Sequence, residues 1–140
     1  MVSASTKEVI FLHTIMINGL LSIQKKLNLP RNPRDYTSIA VTTDDSNDEI
    51  VYASSMGDGV IQYKNGTPVQ SYNEKNAFKE TAGGYGSGYC YIDGLAFDKN
   101  GNLWMTSSEV NHAVLVLDKA GAWHRLDIEQ LRGVYTINDI

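Results

Sequence analysis

The sequence has one cysteine, three prolines and no long apolar run, and each shortage excludes a class of protein. A single cysteine, Cys90, excludes an internal disulfide and a cysteine-rich zinc site. The most apolar stretch, residues 9–17, is shorter than the roughly 20 residues that span a bilayer. Glu8 and the lack of a cleavage motif argue against a signal peptide there. We therefore expect mature, folded structure and no transmembrane segment.

Basic residues are also few, with 12 Lys and Arg against 16 Asp and Glu, a net charge of −4 and a pI near 5.2. This balance argues against a nucleic-acid partner and against electrostatic docking on an anionic membrane. The hydrophobic content of 42% is ordinary for a folded protein, and 140 residues make one domain.

What the sequence does contain is a repeat. Residues 38–41 and 49–55 return as residues 94–97 and 102–108. The offset between the copies is 56 residues at Ile39 and Leu95, 53 at Ser54 and Ser107, and 54 at Val60 and Val114. A period near fifty built from strands is typical of a propeller blade.

Turn residues support the same organisation. Asn18-Gly19 and Asn65-Gly66 suit a type I′ hairpin turn, because both central residues need positive φ. Ala120-Gly121 occupies the equivalent place in the next unit. The first of these turns predicts an outer hairpin of a preceding blade over residues 8–29. An amphipathic helix over residues 15–27 is the alternative.

The predicted fold is all-β: a partial β-propeller of two complete four-stranded blades. Residues 36–73 and 89–128 form the blades, residues 8–29 a half blade, and residues 134–140 the first strand of the next blade. Propellers close a ring of four to eight blades. We therefore expect a piece of a larger propeller, such as a gene fragment, or a chain that is completed by copies of itself through its open edges.

One acidic segment invites comparison with a calcium loop. Asp98, Asn100, Asn102 and Glu109 are oxygen donors at the spacing of such a loop. The position that needs glycine is Leu103, however, and the flanks are strand-like. We therefore interpret the segment as a polar hairpin turn with Gly101 at positive φ, and we expect no metal and no cofactor.

Catalytic arrangements are not evident in the sequence. His13, His112 and His124 lie in different units, and the glycine-rich residues 83–88 lack the residues of a phosphate loop. The serine pairs 54–55 and 107–108 occupy repeated positions, which indicates packing. A lactone-opening propeller lyase would need a metal or histidine cluster, so we expect a protein that is not an enzyme.

A binding surface is predicted where the loops between second and third strands open on the same face as the crossover between blades. The candidate binding residues on this face are Asp58, Tyr85, Asn111 and His112. We refer to it below as the loop face.

Two family resemblances follow from local motifs. Residues 97–106 resemble the D-x-x-G-N-L-W signature of two-component-regulator propeller repeats. The order of residues 33–40, 51–60 and 72–76 resembles the propeller of PorZ-like proteins of the type IX secretion system, over roughly residues 28–130. The chain departs from that family in lacking a signal peptide, most blades and the C-terminal β-domain.

The PorZ-like resemblance implies display at the cell surface, outer membrane or periplasm. It also implies protein partners in an outer-membrane complex and delivery of anionic lipopolysaccharide to exported proteins. The alternative function is an extracytoplasmic, carbohydrate-sensing propeller of a hybrid histidine kinase. Both are binding functions, with a protein or a glycan as partner.

Overall fold

The computed structural model describes Leu27, residues 36–78, residues 88–134 and Ile137. These residues form eight strands and one short 3₁₀ helix, Glu129–Leu131. The strands are β1 (Tyr36–Thr43), β2 (Glu49–Gly57), β3 (Gly59–Lys64), β4 (Thr67–Tyr72), β5 (Cys90–Phe97), β6 (Leu103–Ser107), β7 (Val114–Leu117) and β8 (Trp123–Leu126).

The strands pair as two four-stranded antiparallel units. In the first blade, β1 pairs with β2, β2 with β3 and β3 with β4. In the second blade, β5 pairs with β6, β6 with β7 and β7 with β8. The prediction of an all-β partial propeller is confirmed.

The second strand of the first blade joins the first strand of the second blade. The end of β2 pairs with the start of β5, through Met56 with Tyr91 and Gly57 with Cys90. Farther along β1, the Thr37 hydroxyl donates to the Ile92 carbonyl at 2.5 Å, and the Leu95 N–H donates to Ser38 Oγ at 3.1 Å. Two hydroxyl groups of β1 thus link the first strands of the two blades through hydrogen bonds to the β5 backbone.

The main hydrophobic core lies between the blades. Alternate residues of a strand face opposite sides of its sheet, so each blade directs one set of side chains into this core. Its fully buried members include Val60, Ile92, Leu103 and Met105. A second cluster covers the opposite side of the first blade and consists of Val51, Ala53, Ile61 and Tyr63, with Leu27 packed against it. The first blade is therefore buried on both sides.

One turn geometry occurs three times. Asp44, Asp98 and Asp118 each accept the N–H of the residue four positions on through Oδ1, at 2.8–2.9 Å. The residue three positions after each aspartate has positive φ: 63° at Asn47, 83° at Gly101 and 89° at Gly121. The prediction of a polar turn with Gly101 at positive φ is confirmed. Asn65 and Gly66 also have positive φ, 48° and 75°, as the type I′ prediction requires.

Strand pairing corrects one detail of the repeat. Ser54 lies opposite Val60 and Thr106 lies opposite Val114, so Ser54 corresponds to Thr106. The predicted equivalence of Ser54 with Ser107 is wrong by one residue, and in a strand such a shift reverses the face. The adjacent serines at 54–55 and 107–108 match in residue type but not in strand register.

The predicted hairpin at residues 8–29 lies outside the described residues except for Leu27, which has helical conformation. Of the predicted strand 134–140, Val134 and Ile137 are described. Within the described residues, no helix has the length and apolar character needed to cross a membrane.

Candidate functional site

On the loop face, the segment Gly57-Asp58-Gly59 is tightly packed. Both glycines have positive φ, 99° and 79°. A Cβ on Gly59 would lie 2.2 Å from the Tyr72 carbonyl oxygen, and one on Gly57 would lie 2.6 Å from the Tyr89 ring. Asp58 is 8% exposed, and its backbone forms an isolated β-bridge with Cys90. Its carboxylate accepts a hydrogen bond from Ser55 Oγ at 3.4 Å. The Asp58 carboxylate therefore has little surface to offer a ligand.

The other loop-face candidates differ in exposure. Asn111 is exposed and His112 is half-buried. Arg132 is the main cause of the lowered pKa of Asp127, through a two-point ion pair at 2.7 and 2.5 Å, and the nearby His112 adds a smaller contribution. Their loop meets the start of β5, where the Ser108 N–H donates to the Tyr91 carbonyl. Tyr85 lies outside the described residues.

A buried polar cluster lies beneath the same loop. Ser108 Oγ donates a short hydrogen bond to Asp93 and accepts one from the Ile137 N–H at 2.9 Å. Burial raises the pKa of Asp93, and the hydrogen bonds partly offset that rise. Both side chains are buried, Ser108 completely. The cluster ties the second blade to the residues that follow it along the chain.

A concavity lies between the blades on the face opposite the loop face. This opposite face carries the turns between first and second strands and between third and fourth strands. We call it the turn face, and we call the concavity the inter-blade cleft. Its volume is about 540 Å³, within the range of small-molecule sites. Its lining residues are Thr42, Thr43, Asp44, Asp45, Ile50, Tyr52, Gln62, Lys64, Tyr72, Phe97, Gly101, Leu103, Leu117, Asp118, Lys119 and Gly121. Ile50, Leu103 and Leu117 are buried, whereas Thr43, Asp45 and Lys119 are exposed. The cleft thus has an apolar floor and an open polar rim.

An aromatic group forms one side of the cleft. Tyr52 stacks on Tyr72 with ring centroids 6.3 Å apart, and Phe97 meets Tyr52 edge-on at 5.9 Å. Burial and the neighbouring Tyr72 raise the pKa of Tyr52 to about 12. Its phenol therefore stays neutral at physiological pH, able both to donate and to accept.

Polar groups of both kinds lie beside the rings. The Lys64 ammonium contacts Asp44 at 2.7 Å and Asp48 at 2.9 Å. Lys64 is the main cause of the lowered pKa of Asp44, whereas hydrogen bonds from Asn65 and then Lys64 lower that of Asp48. Gln62 Oε1 accepts from the Tyr72 hydroxyl at 2.9 Å, so the amide NH₂ is the donor that Gln62 can offer. Among the described residues, no group of three or more His, Cys, Asp or Glu has a metal-binding arrangement.

A difference in hairpin length accounts for one wall of the cleft. In the first blade, Val41 pairs with Val51, and two further pairs precede the Asp44 turn: Thr42 with Ile50 and Thr43 with Glu49. In the second blade, Phe97 pairs with Leu103 and the Asp98 turn follows at once. The extra pairs project the first blade beyond the second, and Thr42, Thr43 and Ile50 line the cleft.

This cleft was not predicted from the sequence, although the sequence contains one signal of it. Aligned at matching positions, the copies are 56 residues apart at Val41 and Phe97, 54 at Asp44 and Asp98, and 52 at Val51 and Leu103. The offset between the copies falls by two residues before the aspartate turn and by two more after it. Each strand of the first blade's hairpin therefore has two extra residues. The loop-face prediction, in contrast, rested on general propeller geometry.

This architecture is that of a β-propeller segment. The fold is similar to a solved structure of PorZ, described as an essential bacterial surface component of the type IX secretion system of Porphyromonas gingivalis. The match has a TM-score of 0.67 at 18% sequence identity and covers 84% of this chain. The chain spans 15% of the length of that structure. No family model and no curated protein matches the sequence.

Proposed function

We propose that this chain is a non-enzymatic binding segment in the propeller of a type IX secretion surface protein. The observation that carries the proposal is the fold likeness to PorZ, which extends over 84% of the chain. Because 84% of the chain is covered, the match extends over more than one blade, which is more specific than the match of a single blade. The finer proposal is that the protein takes part in delivering anionic lipopolysaccharide to exported proteins at the outer membrane.

The state of the buried hydroxyl groups supports a non-enzymatic function. Ser54 Oγ donates to the Ser38 carbonyl at 3.2 Å and lies 2.7 Å from Thr37 Oγ1. Ser108 is fully buried against Asp93. A nucleophile must reach a substrate, and these hydroxyls instead link strands.

The D-x-x-G-N-L-W motif does not separate the two families that the sequence resembles. Asp98 Oδ2 accepts from the Trp104 indole N–H at 3.1 Å and from Asn102 Nδ2 at 2.8 Å. The motif therefore builds a turn that any propeller blade can use, and its presence does not favour a sensor kinase.

The proposal can be tested in the bacterium that produces the protein. The chain, within whatever longer polypeptide carries it, is tagged, cross-linked in whole cells and analysed by mass spectrometry. We expect cross-links to outer-membrane components of type IX secretion. In a deletion strain, exported cargo should lose the electrophoretic shift that attached lipopolysaccharide causes.

An abundant outer-membrane protein from outside the secretion system, carrying the same tag, is the control for random cross-linking. Cross-links to an inner-membrane histidine kinase, or a deletion strain with normally modified and anchored cargo, would contradict the proposal.

A further inference from the structure

We propose that the inter-blade cleft binds a short neutral saccharide, with the sugar rings against Tyr52 and Phe97 and the hydroxyls on the polar rim. This inference goes beyond the proposed function, because it concerns a ligand site whose lining residues all belong to this chain. The cleft would bind the same ligand in any envelope protein that carries these two blades.

The shape of the cleft is the first argument. Both blades contribute walls, the volume of about 540 Å³ is that of a small-molecule site, and the rim is open to solvent. The floor residues Ile50, Leu103 and Leu117 are buried and apolar. An occupant with an apolar face and polar edges therefore matches the cleft.

The hydrogen-bonding groups are the second argument. A saccharide hydroxyl both donates and accepts, so its site needs partners of both kinds. The Gln62 amide and the Lys64 ammonium supply donors, and Asp44 and Asp118 supply carboxylate acceptors. Of the three Lys64 N–H groups, the contacts with Asp44 and Asp48 engage two, which leaves one donor.

Charge decides between classes of ligand. Three carboxylates (Asp44, Asp45 and Asp118) line the cleft against two ammonium groups, Lys64 and Lys119. Hydrogen bonds from Lys64 and His124 lower the pKa values of Asp44 and Asp118, so these carboxyls are ionised at neutral pH. An acidic glycan would meet a site of its own charge.

The ring geometry argues against a cationic ligand. A cation held by aromatic rings lies over ring faces that converge on it. Tyr52 and Tyr72 instead lie with 23° between their planes and ring centroids 6.3 Å apart, so their faces do not converge on one point. Two lysines also line the cleft. A neutral polyhydroxylated ligand is therefore favoured over a cation.

The test begins with the purified 140-residue chain on an array of neutral, acidic and amino-substituted oligosaccharides. The best neutral trisaccharide is then measured by titration calorimetry. We expect saturable binding of neutral probes and weaker binding of acidic ones. Gln62→Leu should weaken binding about tenfold, the equivalent of one or two hydrogen bonds. Gln130→Leu, the same change at an exposed site on the 3₁₀ helix, should leave the affinity unchanged.

A second pair of variants locates the site even where Gln62→Leu fails to fold. Thr43→Trp places a large ring at the exposed rim of the cleft, and Asn111→Trp places one on the loop face. We expect Thr43→Trp to abolish saccharide binding and Asn111→Trp to preserve it, with thermal melts confirming that both variants are folded.

Three results would overturn the proposal. The array could show no neutral saccharide bound, or only acidic or cationic probes bound. Alternatively, Asn111→Trp could abolish binding while Thr43→Trp preserves it. None of these results bears on the cross-linking experiment, so the two proposals fail separately.

Discussion

The two blades have the same strand order but differ in how far their first hairpins extend. Both use an aspartate turn with Asp44 or Asp98 at its start. The first blade inserts two more residue pairs before that turn. An insertion of two residues on each strand keeps every side chain on its original face, whereas one residue would reverse them.

The comparison shows where this fold tolerates variation. Between the blades, Ala40 and Val60 of the first blade share one buried cluster with Leu103 and Met105 of the second. The differences lie at the turn face, where the hairpin of one blade overhangs the other and encloses the cleft. The core thus holds the blades together, and hairpin length shapes the surface between them.

The largest expected effect compares two glycines of the first blade that both have positive φ. Gly59→Ala places a Cβ 2.2 Å from the Tyr72 carbonyl oxygen, so the backbone must move. We expect a loss of about 2–5 kcal/mol from overpacking and left-handed strain together. Gly66→Ala has open space around its Cβ and should cost only about 1–2 kcal/mol. Urea denaturation measures both, and equal losses would contradict the role of packing at Gly59.

A second experiment removes the difference between the blades. Deleting Thr42, Thr43, Glu49 and Ile50 places the Asp44 turn directly after Val41, as Asp98 follows Phe97. We expect a folded protein that is less stable by about 1.5–3 kcal/mol, because the buried Ile50 is lost. Thermal melts measure the loss, and the shortened hairpin should no longer bind saccharide.

The matched control deletes one pair only, Thr43 and Glu49. Antiparallel pairs alternate between hydrogen-bonded and non-hydrogen-bonded types, so this change puts the aspartate turn on the wrong type of pair. The one-pair deletion should be the less stable of the two despite being smaller. If the two-pair deletion were the less stable, the type of residue pair before the turn would not determine the stability of the hairpin.

Much of the fold was predictable because its determinants are local. The turn residues Asn65-Gly66 and Asp98 to Gly101 carry their conformational preferences in adjacent positions. Short apolar runs bounded by turn residues mark the strands, as in Val114–Leu117, which is buried throughout. These signals need no knowledge of contacts far apart in the chain.

The exact register and the cleft were not predictable in the same way. Ser54 and Ser107 are identical residues, but cross-strand partners decide that Ser54 matches Thr106. The cleft joins Tyr52 of one blade to Phe97 of the next, a contact that depends on how the blades pack. Sequence alone could report the hairpin insertion but not the surface that it encloses.

A third prediction compares the buried serines of the two blades. Ser108 donates to the Asp93 carboxyl, whereas Ser54 bonds to a neutral carbonyl and a neutral hydroxyl. Ser108→Ala leaves a buried carboxyl with one partner fewer and should cost about 1.5–3 kcal/mol. Ser54→Ala should cost about 0.5–1.5 kcal/mol, the value of a neutral hydrogen bond. Guanidinium denaturation ranks the two, and a larger loss for Ser54→Ala would reverse the argument.

The smallest expected effect distinguishes the aspartate turns by pH. Hydrogen bonds from the Trp104 indole and from Asn102 lower the pKa of Asp98 to about 2. Because an aspartate in the unfolded chain titrates near pH 4, Asp98 stabilises the fold fully above about pH 4, and this contribution is lost as the pH falls towards about 2. Asp98→Asn should therefore reduce stability at neutral pH. It should also make the melting temperature fall less steeply between about pH 4 and about pH 2. An unchanged slope over this range would mean that other carboxyls govern it.

Salt sharpens this comparison between the turns. The Lys64 ammonium is the largest cause of the lowered pKa of Asp44, whereas neutral N–H donors lower that of Asp98. Salt screens an exposed ion pair but has little effect on hydrogen bonds to neutral donors at contact distance. The loss caused by Asp44→Asn should shrink between low and high sodium chloride, and the loss caused by Asp98→Asn should persist. If both losses shrank alike, Asp98 would owe its low pKa to the field of surrounding charges rather than to its turn.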